Sequence, residues 1–170
     1  MRRRYETVLA IYLTRRGVAF VLFQGPHSPV DWGHACRESA AKNGHCLKKV
    51  RVLLSRQPDV LVLQDTSWTG TRRSRRVRRL NEAIFEIAEE HPFPVCTFSR
   101  QHVGAAFSHL ASPTRYAIAQ DIAKNIPIFE HHLPPPRKRW LPEDERMGIF
   151  DAAALALTYF QSAAGEQNGT

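Results

Sequence analysis

The chain has 170 residues and a mass of 19.4 kDa, and 43% of its residues are apolar, enough for one compact domain with a sizeable core. Twenty-four Lys and Arg against 16 Asp and Glu give a net charge of +8 with neutral histidines, which favours polyanionic partners, nucleic acid ahead of a membrane surface. No apolar run approaches the roughly 20 residues that span a bilayer, the apolar segment after Met1-Arg2-Arg3-Arg4 is broken by Arg15 and Arg16, and three cysteines without a Cys-x-x-Cys argue against a disulfide framework; a soluble, cytoplasmic protein is the expectation.

Residues 8–13 and 18–23, joined by Thr14-Arg15-Arg16-Gly17, read as a β-hairpin. After Gly25-Pro26, the alternation over residues 30–35 adds a third antiparallel strand. From Asn43, the residues Leu47, Val50 and Leu54 recur at helical steps with Lys48, Lys49 and Arg51 off the stripe, and Gln57-Pro58 ends that helix. The aliphatic run 59–63 is a central strand covered on both faces, closing with Gln64-Asp65. A helix from about Ser74 carries Val77, Leu80, Ile84, Ile87 and Ala88 on one face and stops at His91-Pro92, and residues 95–98 form a short strand. Ser112-Pro113 opens a further helix, with a capping hydroxyl and a proline in the first turn, that ends near Asn125. Residues 133–140 make a stiff basic loop, and a last helix runs from about Asp144 to Ala163. One domain over 1–164 and a disordered tail over 165–170 are expected, without repeat or linker, as a mixed sheet with helices packed on it.

Asp151 is the most informative residue, because its neighbours four residues before and after, Met147 and Leu155, place a carboxylate on an apolar helix stripe. Such a group must be salt-bridged, capping a turn, bound to a cation, or acting as a general acid or base, since burial without a partner costs several kcal/mol. Asp65 closes the central strand, where ligands collect in open α/β sheets; the competing reading is an Asx-turn with Thr66 or Ser67. Arg72, Arg73, Arg75, Arg76, Arg78 and Arg79 put six arginines in eight residues at a helix start, where the macrodipole disfavours positive charge. Guanidinium forks match phosphate oxygens, so this run reads as a phosphate-backbone surface, extended by Lys48, Lys49, Arg137, Lys138 and Arg139. Trp68 and Trp140 are available to stack on bases, or are simply core. His34, Cys36, His45 and Cys46 make a poor zinc set, because the adjacent His45-Cys46 pair lacks chelate spacing. No phosphate-binding loop, dinucleotide fingerprint or serine elbow is present.

The element order together with Val8-Leu9-Ala10-Ile11-Tyr12-Leu13, Gln57-Pro58-Asp59-Val60-Leu61-Val62-Leu63-Gln64 and Ile149-Phe150-Asp151-Ala152-Ala153-Ala154-Leu155-Ala156-Leu157 resembles the RuvC-type Holliday junction resolvases of the ribonuclease H-like superfamily. The resemblance covers residues 8–160. It implies a ribonuclease H-like α/β fold, a five-stranded mixed sheet of antiparallel hairpin strands and parallel strands flanked by helices, and with it a homodimer and cleavage of branched DNA with two divalent metals, Mg or Mn. The family's acid in the first strand falls on Tyr12, its glutamate at the end of the central strand on Gln64, its final aspartate on Asp151, and the acid three residues earlier on Gly148. Two-metal hydrolysis needs several carboxylates around ions about 4 Å apart, and a phenol with a pKa near 10 or a neutral amide does not supply that charge.

The leading expectation is therefore a RuvC-like protein that binds structured or branched DNA through a basic surface, with impaired or lost nuclease activity. The alternative is an active Mg- or Mn-dependent endodeoxyribonuclease in which Asp65, Glu145 and Asp151 are catalytic, with Asp151 and Asp65 as metal ligands, if a local bulge turns Asp65 and Glu145 inward. On a regular strand Asp65 points away from Gln64. A third reading is an interaction module whose basic face meets an acidic protein.

Overall fold

The computed structural model describes residues 6–36, 42–66 and 75–167. Arg72, Arg73 and Trp68 lie outside them, as do the expected helix start at Ser74 and the terminal residues 168–170. A five-stranded sheet has the order β3-β2-β1-β4-β5. Strands β1 (Thr7–Leu13) and β2 (Gly17–Gln24) form the expected hairpin, closed by Thr14, whose N–H donates to the Gly17 carbonyl and whose Oγ1 accepts from the Gly17 N–H, both at 2.9 Å. Gly25, with φ of 100°, takes the left-handed backbone that turns the chain into β3 (Pro29–Cys36), antiparallel to β2. Helix α1 (Lys42–Leu54) returns the chain to β4 (Val60–Gln64), which is parallel to β1, and α2 (Arg75–Glu89) returns it to β5 (Val95–Phe98), parallel to β4.

Strand alternation divides the core. Leu9, Ile11 and Leu13 of β1 and Leu61 and Leu63 of β4 face α1 and α2, where Val50, Leu54, Leu80 and Ile84 are buried. Val8, Ala10, Val60 and Val62 face the other way, against α4 (Arg115–Asn125), a short 3₁₀ helix (Pro127–His132) and α5 (Met147–Gln167). Each large aliphatic side chain so covered contributes about 1.5–3 kcal/mol. Both β1 and β4 run nearly all apolar because both faces of the sheet are covered. The period of two then sends Tyr12 to the α5 side, packed against that core, and Gln64 falls on the same face.

Two expectations about helices are corrected, and one further helix is present. Helix α3 (Arg100–Ala106) follows β5 directly, capped by Ser99, whose Oγ accepts from the His102 N–H while the His102 ring accepts from the Ser99 N–H. Helix α4 starts at Arg115 rather than at Ser112-Pro113: the Thr114 N–H donates to the Ser112 carbonyl at 2.8 Å, making a tight turn, and Thr114 Oγ1 becomes the cap, accepting from the Ala117 N–H. Helix α5 starts at Met147, because residues 144–149 close through three bonds spanning three residues each, and it continues past Gly165 to Gln167. Residues 165–167 are thus helical rather than part of a tail.

Candidate active-site cleft

Strands β1 and β4 are parallel and end at the same sheet edge. Their register pairs Ile11 with Leu63, and one further step brings Tyr12 beside Gln64. Asp65 continues the line, its N–H donating to the Phe98 carbonyl at 2.8 Å. Across from this edge α5 presents Asp151, and the first residue of α4 presents Arg115. Tyr12, Gln64, Asp65, Phe98, Arg115 and Asp151 line a cleft of about 620 Å³. A second cleft of about 730 Å³ is lined by Arg16, Arg76, Arg137, Glu143 and Glu145 among others, and Tyr12 and Arg115 border both.

The carboxylate of Asp151, 12% exposed, is held by Arg115. Arg115 Nε donates to Oδ1 at 2.8 Å and to Oδ2 at 3.0 Å, and Nη2 donates to Oδ2. Nη1 pairs with Glu143 Oε1, and the guanidinium carbon lies 5.9 Å from the centre of the Tyr12 ring. The partner that an aspartate on an apolar stripe requires is thus an arginine. Burial works against the charge of Arg115, but the hydrogen bonds and charge of Asp151 outweigh it and hold the guanidinium above its ordinary pKa. The same attraction offsets the unfavourable macrodipole at the first residue of α4.

Of the three candidate acids, Asp65 and Asp151 line the same cleft and Glu145 does not. Glu145 faces the second cleft, accepting from Arg16 Nη1 at 2.5 Å with His34 Nε2 at 3.7 Å. Glu143, two residues earlier, approaches Arg115 instead, so the bulge that would turn Glu145 inward is not formed. At Gly148 a Cβ would stand 2.9 Å from both Ala19 Cβ and Thr14 Cγ2, so strand β2 and the hairpin turn fill the place of a side chain there. Among the described residues no group of three or more His, Cys, Asp or Glu is placed to hold a metal ion. The donor set therefore does not fit a pair of Mg or Mn ions: a phenol and a neutral amide stand at Tyr12 and Gln64, and both oxygens of Asp151 are engaged by a guanidinium. Of the zinc set, Cys46 is buried with its thiol 3.7 Å from the Ala35 carbonyl and His34 faces Glu145, and no metal-holding group forms among the described residues; the Cys36 side chain lies outside them.

The basic residues divide by role. Arg75, Arg78 and Arg79 are exposed on α2 and Lys48 is exposed on α1. Arg76 is turned inward: Nη1 donates to Asn43 Oδ1 at 2.9 Å and Nη2 to the Arg15 carbonyl at 2.7 Å, tying α2 to α1 and to the hairpin turn. Lys49 lies 5.0 Å from the centre of the Phe20 ring. In the loop before α5, Arg137 Nε donates to the Leu141 carbonyl, Arg139 is exposed, and Lys138 sits 5.6 Å from the ring of Trp140, which is 78% exposed and not core. Arg115 and Glu143 were not singled out from sequence. The available signal was a cation at a helix start, against the dipole, following a Thr cap.

A mixed five-stranded sheet of order 3-2-1-4-5, with three antiparallel strands followed by two parallel ones and helices on both faces, is the ribonuclease H-like architecture. Within it, the chain has the fold of the RuvC resolvases. It is similar to Thermus thermophilus RuvC (16% identity, TM-score 0.67, 94% of this chain and 96% of that one) and to T. thermophilus RuvC in complex with a Holliday junction substrate (17%, 0.69, 95% and 97%). It is also similar to the Fowlpox virus resolvase in complex with Holliday junction DNA (13%, 0.53, 91% and 99%). No family model matches the sequence, and no curated protein matches it. No helix among the described residues is long and apolar enough to cross a membrane.

Proposed function

We propose that this is a RuvC-like protein that binds branched or structured DNA and that its cleft has lost two-metal hydrolysis. The observation that carries the second half is the Arg115–Asp151 pair: the one acid that remains at a family position is neutralised by a fixed guanidinium. Two Mg²⁺ ions need clustered negative charge to hold them, and here a positive charge already stands among the carboxylates. DNA binding is supported by the net charge of +8, by the exposed Arg75, Arg78 and Arg79, and by a fold that in T. thermophilus RuvC and the Fowlpox resolvase is seen on Holliday junctions. The homodimer implied by the resemblance belongs to the same proposal, and sedimentation of the purified chain checks it.

The test is a four-way junction incubated with purified protein and Mn²⁺. Retarded junction without strand scission is expected. Scission that disappears in Asp151→Asn would establish the competing endonuclease, a reading favoured by Asp65 and Asp151 sharing one cleft. Failure to retard junction or duplex at low salt would leave an acidic protein as the partner of the basic face.

A further inference from the structure

We propose that the second cleft is a phosphate-binding groove for a nucleic-acid strand, in which Arg16 and Arg115 exchange the carboxylates of Glu145 and Glu143 for phosphodiester oxygens. The inference rests on the reading of the chain as a DNA-binding protein and names a site for that binding away from the exposed arginines of α2. Arg15, Arg16, Arg76, Arg115 and Arg137 all border this cleft, so the hairpin turn, α2, α4 and the loop before α5 converge their cations on one space of about 730 Å³. Such convergence of like charge from four separate elements is unfavourable unless an anion is present.

The anion in the structure is the chain's own turn. Glu143 pairs with Arg115, Glu145 with Arg16, and Asp144 with Arg146 beside them. Carboxylates and phosphodiesters both present two oxygens to a guanidinium fork, so the turn occupies the arginines as phosphates would. The Arg16–Glu145 pair is loosely held, with side chains 48% and 35% exposed, and such pairs are worth little in water. A phosphate displaces it at small cost. Arg115 differs, because Asp151 fixes it from the other side: its Nε and Nη2 are engaged there, and loss of Glu143 leaves it oriented with Nη1 facing the groove. Asp151 is then a positioning residue for a phosphate-binding arginine. The loop that leads into the acidic turn also carries the exposed Trp140, a face on which an unstacked base can stack.

Exchange has a thermodynamic signature. The ions released on binding are those condensed on the DNA, about 0.9 per phosphate neutralised; a carboxylate displaced beside that phosphate cancels part of the neutralisation, whereas an arginine without a carboxylate partner supplies it in full. Glu143→Gln with Glu145→Gln is therefore expected to tighten binding of a four-way junction about 5- to 10-fold at low salt. It should also steepen the slope of log K against log salt by about 1 to 2 units. The control removes two exposed carboxylates elsewhere, Glu89→Gln with Glu130→Gln, and leaves the slope unchanged. Because Glu143→Gln touches the Arg115–Asp151 pair, Glu145→Gln alone is measured as well, with and without Arg16→Gln; its gain should vanish when Arg16 is gone. Equal affinity and slope in the double variant and the parent would overturn the inference, as would an equal gain in the control. A parent protein that binds no DNA at low salt overturns the functional reading itself, so the two failures are distinguishable.

Discussion

Replacing Asp151 by asparagine separates an ion pair from a cluster of acids by the sign of its effect on stability. Where carboxylates are gathered for metal ions, they repel one another, and neutralising one stabilises the metal-free fold. Where the carboxylate is the partner of a half-buried guanidinium, neutralising it leaves a desolvated cation behind. Breaking a fully buried pair costs about 3–5 kcal/mol. Asp151 is 12% exposed and Arg115 32%, and Arg115 retains Glu143, so the discounted loss is about 1.5–2.5 kcal/mol. For a domain of this size that lowers Tm by about 3–10 °C. Urea titration at constant m and thermal melting both read it. Arg115→Gln should cost a similar amount, and the double variant should cost less than the sum, with a coupling of about 1 kcal/mol or more. A Tm that rises in Asp151→Asn would refute the ion-pair account and point to acids held apart for a cation.

Mg²⁺ or Mn²⁺ at millimolar concentration should leave Tm unchanged; a site filled at one hundred times its Kd would add about 2.7 kcal/mol, and a rise of that order would show that metal is held. Charge reversal at Arg75, Arg78 and Arg79 should weaken junction and duplex binding alike and flatten the salt slope, whereas Arg76→Ala should mainly lower Tm, because Arg76 ties Asn43 and the Arg15 carbonyl together. Gly148→Ala should cost about 1–3 kcal/mol by overpacking against Ala19 and Thr14, and Thr14→Ser should recover part of that loss because it removes one of the two contacting methyls. Burial, followed by the hydrogen bond to Glu6, pushes the Tyr159 phenol well above its ordinary value of 10.0. A raised folded value gives stability that is present below about pH 10 and lost as the pH rises beyond it, so the alkaline fall in stability should be shallower in Tyr159→Phe than in the parent.

The five strands and the longer helices were legible because an apolar period or apolar run marks each of them. Alternate residues of β1 and β4 face opposite cores, and Val77, Leu80, Ile84, Ile87 and Ala88 repeat every three or four residues along α2. Helix α3 was not legible: seven residues with none buried carry no period, and its only sign is the Ser99 cap. The start of α4 was misplaced because Ser112 and Thr114 are both acceptable caps, and the choice between them rests on a turn formed through Pro113. The resemblance to RuvC rested on strings that lie in β1, β4 and α5, the three elements that frame the cleft.

The sequence alone determined that Asp151 needs a partner, because a charge on an apolar stripe cannot stay unpaired, and that Tyr12 and Gln64 bring no charge to the sheet edge. It also determined the excess of arginine. Only the tertiary structure decided that the partner is Arg115, thirty-six residues away, that Glu143 rather than Glu145 joins it, and that Arg76 is spent on holding elements together. Local periodicity reports which face of an element is buried. Which charges then meet depends on how elements distant in the chain pack, and for residues with several possible partners that is settled by desolvation and geometry in the assembled fold.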